Sequence, residues 1–82
     1  MTDNNTITVT VKFFMDLIKF GPAKSKKVLP EGSNIISVLK KYKVPIEEKK
    51  LIILVNGIPK YNREDILKDG DIIAFFPQIA GG

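Results

Sequence analysis

Hydrophobic and polar positions alternate at the start of the chain: Ile7, Val9, Val11 and Phe13 are separated by Thr8, Thr10 and Lys12. A period of two puts the apolar set on one face of a β-strand, so this segment predicts a strand with one side buried. Residues 15–20 carry no clean period, and Gly21-Pro22 interrupts the chain. A second strand over residues 25–29 ends at Pro30-Glu31-Gly32, and the two strands are expected to pair as a hairpin despite the long connection.

The period then changes. Ile35, Val38, Leu39 and Tyr42 recur at the spacing of one helical stripe, with Ser33 or Asn34 available as the N-cap oxygen. Lys40 and Lys41 fall in the last turn, where positive charge complements the helix dipole, and Val44-Pro45 is expected to stop the helix. A helix this short needs a sheet to pack on.

Leu51-Ile52-Ile53-Leu54-Val55 is a continuous apolar run and predicts a strand. Asn56-Gly57 after it suits a tight hairpin turn, and Pro59 restricts the returning segment to a short edge strand. Residues 65–68 lead to an Asp69-Gly70-Asp71 turn and a last strand over 72–76, before a tail, residues 77–82, expected to be flexible. The order β-β-α-β-(short β)-β predicts one α+β roll spanning residues 1–82, with a single main helix on one face of a small sheet.

A single helix covers one face only. With Val9, Val11 and Phe13 turned to the helix, Phe14 begins the opposite face. Ile73 and Phe75 point inward, Ala74 and Phe76 outward, and Ile52 and Leu54 are the outward set of their strand. Phe14, Leu54 and Phe76 are therefore expected to form an exposed apolar patch for a partner, the alternative being that loops or residues 15–20 bury them.

Composition narrows the chemistry. Eighty-two residues make one domain whose core is small, since folding at this size buries only about 60–65% of the extended surface. There is no cysteine and no histidine, which removes disulfides, thiolate metal sites and most acid–base readings; no metal site is expected. The five-residue run at 51–55 is far too short for a bilayer, and the polar start carries no secretory pattern, so neither membrane insertion nor export is expected and the cytoplasm is the expected location. The net charge of +4 arises from twelve lysines and one arginine against nine acids. Lysines cluster at 24, 26 and 27, at 40, 41 and 43, and at 49 and 50. A solvated surface accounts for them; with Arg63 alone and the aromatics in strands, nucleic acid is not an expected partner. Docking of the lysines against an acidic protein stays open.

The chain ends on Gly81-Gly82, after Ile79-Ala80. Residues without a Cβ can thread where bulkier ones do not fit, which makes the terminal carboxylate a candidate reactive group.

Val55-Asn56-Gly57, the 67–71 turn Leu-Lys-Asp-Gly-Asp, and the ending Ala-Phe-Phe-Pro-Gln-Ile-Ala-Gly-Gly over 74–82 resemble the MoaD/ThiS sulfur-carrier proteins, which share the ubiquitin β-grasp fold. Val11-Lys12-Phe13-Phe14 and Leu29-Pro30-Glu31-Gly32 fit the MoaD branch, the small subunit of molybdopterin synthase. Met15-Asp16 and Gln78 depart from the usual MoaD residues, and the branch stays open on that ground. The resemblance implies a carrier rather than an enzyme. A ubiquitin-activating-type (MoeB/ThiF-like) enzyme would use ATP to adenylate Gly82, and sulfur would then replace AMP to give a thiocarboxylate. Gly81, Ala80 and Pro77 would serve the threading of the tail, and a larger MoaE-like subunit would use the sulfur for molybdopterin; no cofactor is expected on the carrier itself. The alternatives are a modifier conjugated to lysines, a sulfur donor for thiamin or tRNA thiolation, and, further off, a non-covalent binding module.

Overall fold

The computed structural model describes residues 5–45 and 51–78. Its elements are β1 (Thr6–Phe13), a 3₁₀ turn (Met15–Lys19), β2 (Lys24–Pro30), α1 (Ile35–Lys41), β3 (Leu51–Val55), β4 (Ile58–Pro59) and β5 (Ile72–Pro77). Five strands form one mixed sheet in the order β2-β1-β5-β3-β4. β1 pairs antiparallel with β2 and parallel with β5, and β3 runs antiparallel to both β5 and β4. With α1 on one side, this is the α+β roll expected from the order of elements, in the β-grasp arrangement that the resemblance implies.

The alternation in β1 is realised fully: Ile7, Val9, Val11 and Phe13 are buried, joined by Ile53, Val55, Ile73 and Phe75 from β3 and β5. Ile35, Val38 and Leu39 of α1 close the core from above. Removing such apolar side chains from water, at roughly 25 cal/mol per Å², is the main force holding α1 to the sheet.

Of the two candidate N-caps, Asn34 is used. Its Oδ1 accepts from the Ser37 N–H at 2.9 Å while the Ser37 Oγ accepts from the Asn34 N–H at 3.1 Å, a reciprocal capping box. At the other end the helix stops before Val44-Pro45. Lys43 adopts a left-handed conformation (φ 59°), its N–H reaches the Lys40 carbonyl at 3.1 Å, and the Val44 N–H reaches Leu39 at 2.9 Å. This is a Schellman termination, and burial of Val44 seals it, so the stop comes from backbone geometry at Lys43.

Residues 15–20, which lack a period, hold the 3₁₀ turn and its C-cap, Phe20. Leu17 is buried and Phe20 packs on the core, with its ring 6.4 Å from that of Phe13. Gly21 does more than break the chain: an added Cβ would lie 2.8 Å from Cδ1 of Tyr42, whose ring meets Phe13 edge-on at 5.0 Å. Tyr42, the C-cap of α1, also hydrogen-bonds Ser25 Oγ on β2 at 2.7 Å.

The segment between β4 and β5 is pinned to the helix start, with the Leu67 N–H on the Ser33 carbonyl at 2.8 Å and the Ile36 N–H on the Arg63 carbonyl at 3.1 Å. Leu67 is buried there. β5 continues through Pro77, which pairs with Leu51, so the strand extends one residue into the segment expected to form the tail.

Candidate functional site

The open face of the sheet is built by the outward set of each strand. In β5 these are Ile72, Ala74 and Phe76; in β3, Ile52 and Leu54; in β1, Thr8, Thr10 and Lys12. Cross-strand register places Ile52 opposite Phe76 and Leu54 opposite Ala74. Leu54 and Phe76 are thus diagonal neighbours on one surface.

Phe14 follows β1 and keeps the sheet's register through its N–H, which donates to the Phe75 carbonyl at 3.1 Å. Its ring stacks on Phe76 with centroids 4.2 Å apart and planes 6° from parallel. Met15, next in the chain, has a φ of 58° and turns the backbone into the 3₁₀ turn directly after Phe14. A left-handed methionine costs about 1–2 kcal/mol, so the fold holds this corner against local preference.

Phe14, Leu54 and Phe76, expected as a patch for a partner, therefore lie on one face of the sheet. Phe14 is exposed by 36%, while Leu54 and Phe76 are half-buried. The 3₁₀ turn sends Leu17 into the core and leaves Met15 and Ile18 in solvent. Ile52 and Ile72, 41% and 42% exposed, extend the patch. Ile52 has the same parity as Leu54, but only the register that sets it opposite Phe76 places it in the patch.

The patch lies at the end of β5, the strand from which the C-terminal segment leaves. Pro77 occupies the last strand position and is half-buried, and Gln78 follows exposed. Ala80, Gly81 and Gly82, named above as threading and reactive positions, lie outside the described residues.

The turns at the opposite end are tied together. Asn56 (φ 54°) and Gly57 (φ 81°) take the paired left-handed conformations of a tight hairpin turn. The Asn56 side chain donates to Asp71 Oδ1 at 2.9 Å and accepts from the Ile72 N–H at 3.0 Å. Asp71 Oδ2 accepts from the Lys68 N–H at 2.8 Å, and Asp69 Oδ1 from the Thr8 N–H at 2.7 Å. The two short motifs therefore form one bracket that sets the start of β5 against β3 and β1. No helix among the described residues is long and apolar enough to cross a membrane.

The structure is similar to the Haloferax volcanii HVO 2177 protein, with a TM-score of 0.83 and 21% identity over 100% of this chain and 92% of that one. It is similar to the Pyrococcus furiosus protein assigned as molybdopterin converting factor, subunit 1, with a TM-score of 0.73 and 25% identity over 89% of this chain and 99% of that one. It also matches the small archaeal modifier protein 1 of Methanosarcina acetivorans, with a TM-score of 0.68 and 24% identity over 95% and 99% of the two chains. No curated protein matches the sequence. The model of the ThiS family matches residues 11–82, which takes in the end of β1, every later element and the terminal glycines. On that match the chain belongs to the ThiS family, small ubiquitin-like carriers of sulfur.

Proposed function

We propose that this protein carries sulfur as a thiocarboxylate on Gly82 and delivers it in molybdopterin synthesis, as the small subunit of a two-subunit synthase in the cytoplasm. The observation that carries this reading is the family match, which runs unbroken to the terminal Gly-Gly. The Pyrococcus neighbour, assigned as subunit 1 of molybdopterin converting factor, supports the choice of pathway.

A carboxylate at neutral pH is a poor acyl donor. A separate adenylating enzyme of the ubiquitin-activating type joins the Gly82 carboxylate to AMP from ATP, with release of pyrophosphate. The resulting mixed anhydride has a good leaving group, and a sulfur nucleophile displaces AMP to leave the thiocarboxylate. Neither step asks the carrier for an acid, a base or a metal. Its own contribution is to be gripped and to present its end.

The open face supplies the grip. Phe14, Phe76, Leu54 and Ile52 offer apolar area beside the point where the tail departs. Gly81 and Gly82 add no side chain to the threaded end, and Pro77 fixes φ at its root. Binding energy at the patch and reactivity at the tail are thereby separated.

A lysine amine could take the same activated acyl group, which would make the chain a protein modifier. The Methanosarcina neighbour shares the fold with this chain and does not weigh between the two acceptors. Native extract separates them. A carrier co-purifies in a stable complex with a larger catalytic subunit, and its Gly82 deletion leaves no trace on gels. A modifier gives a ladder of conjugates that disappears with Gly82, and that ladder without a partner subunit would overturn the carrier reading.

A further inference from the structure

A second surface lies at the β2 edge of the sheet, beside β1. β2 is an edge strand, and no described residue pairs with its outer side. The Phe13 N–H donates to the Ala23 carbonyl at 3.1 Å, and the Glu31 N–H to the Asn5 carbonyl at 3.0 Å. Those two bonds fix the parity of the ladder: the odd-numbered residues of β2 spend their backbone groups on β1. Antiparallel alternation then turns the N–H and C=O of Lys24, Lys26 and Val28 outward. The Pro30 carbonyl, next in that row, is taken by the Ser33 N–H and Oγ at 3.1 and 2.7 Å. Three consecutive outward positions remain, enough to hold a short extended segment.

The surroundings of this edge are specific. A groove between β2 and α1 is lined by Leu29, Pro30, Ser33, Ser37, Lys40 and Lys41. Leu29 is almost wholly buried and forms its floor, while Val28 on the other side of the strand is 60% exposed. β2 and α1 together carry five lysines (24, 26, 27, 40 and 41) and no acidic residue, which exceeds the net charge of +4 of the whole chain. The Lys27 ammonium lies 5.3 Å from the Tyr42 ring centroid and covers the aromatic ring at this edge.

Lysines on an edge strand discourage pairing with a like strand, because two copies would set positive side chains against each other. The same charges attract an acidic strand. The opposite edge offers nothing equivalent, since β4 is two residues long and one is Pro59.

We propose that the β2 edge and the α1 groove receive an extended acidic segment of a partner protein, which adds to the sheet as a sixth strand. Its backbone pairs with Lys24, Lys26 and Val28. An apolar side chain enters the groove over Leu29, and its carboxylates meet Lys24, Lys26, Lys40 and Lys41. This is strand addition, in which main-chain bonds give affinity and side-chain pockets give selectivity. Lys24 and Lys26 share the open face with Thr10 and Lys12, but the site needs neither the Phe14–Phe76 stack nor Gly82, so it holds or fails independently of the sulfur-carrier reading.

The test is a titration of the ¹⁵N-labelled full chain with a synthetic peptide whose central β-branched run is flanked by aspartates and glutamates. The amides of Lys24, Lys26 and Val28 should shift and exchange with solvent more slowly, and binding should weaken as salt rises. The same peptide with a central proline should not bind. Val28→Pro removes an outward donor without touching the β1 ladder, and the pair Lys26→Glu with Lys41→Glu reverses charge on the surface. Each is expected to weaken binding at least about tenfold; should Val28→Pro unfold the chain, the charge pair still decides. Four results overturn the proposal: no binding up to the peptide's solubility limit, shifts confined to the Phe14–Phe76 face, self-association of the free chain through β2, or tighter binding of a single-stranded oligonucleotide to the same amides.

Discussion

Asn56 sits in the left-handed region and closes two hydrogen bonds from there, to Asp71 and to the Ile72 N–H. Alanine cannot make those bonds and disfavours that backbone conformation. Asn56→Ala is therefore expected to cost about 2 kcal/mol in urea denaturation, while Asn56→Gly, which frees the backbone, should cost about half as much. Equal losses would mean that the side-chain bonds alone carry the turn. Lys43 is the opposite case, a left-handed residue whose side chain does nothing to favour that state. Lys43→Gly, which removes the Cβ from a left-handed position, is expected to raise stability by about 0.5–1 kcal/mol, read from the same denaturation curves. Asn56-Gly57 was legible in the sequence because both residue types favour positive φ. Lys43 and Met15 were not, since neither lysine nor methionine signals a left-handed corner. Only the packing of Val44, and the turn from β1 into the 3₁₀ segment, show them.

At the scale of elements, the two faces of β5 divide core from contact surface along one strand. Phe75 is fully buried and Phe76, its neighbour, stacks on Phe14 at the open face. Phe75→Ala is expected to cost about 3–5 kcal/mol, enough to unfold a large fraction of so small a domain. Phe76→Ser loses an aromatic pair and part of a half-buried ring, so it should cost less than about 2 kcal/mol and leave a cooperative transition. It should also abolish binding to the adenylating enzyme or the large subunit in a pull-down. A Phe76→Ser chain that unfolds like Phe75→Ala would move the patch into the core. Period-two reading found both faces of β1, β3 and β5, because side-chain parity is a local property. It did not place Ile52 in the patch or give shape to residues 15–20. The first needs the register between β3 and β5, and the second is set by Leu17 and Phe20 reaching for a core that sequence period does not display.

For the whole molecule, the order β2-β1-β5-β3-β4 means that the last strand is the middle one. β5 pairs on both sides, parallel with β1 and antiparallel with β3, and the bracket at Asn56 and Asp71 fixes its start. The C-terminal segment is thus rooted in a strand held on both sides, with the apolar patch beside its exit. A parallel pair between the first and last strands joins residues far apart in sequence, so the sheet cannot close until β5 is in place. Fold class, helix, turns and the two faces of each strand were readable because each rests on local period or turn chemistry. The role of residues 79–82 rests on the family match and on the chemistry of a terminal acyl group.

That role is tested most directly by intact-mass spectrometry of the full chain after incubation with its adenylating enzyme, ATP and a sulfur source. A sulfur carrier should gain the mass of one oxygen exchanged for one sulfur, located by fragmentation to Gly82 and lost when Gly82 is deleted. An unchanged mass under conditions in which the enzyme consumes ATP on this chain, or a sulfur found elsewhere, would contradict it.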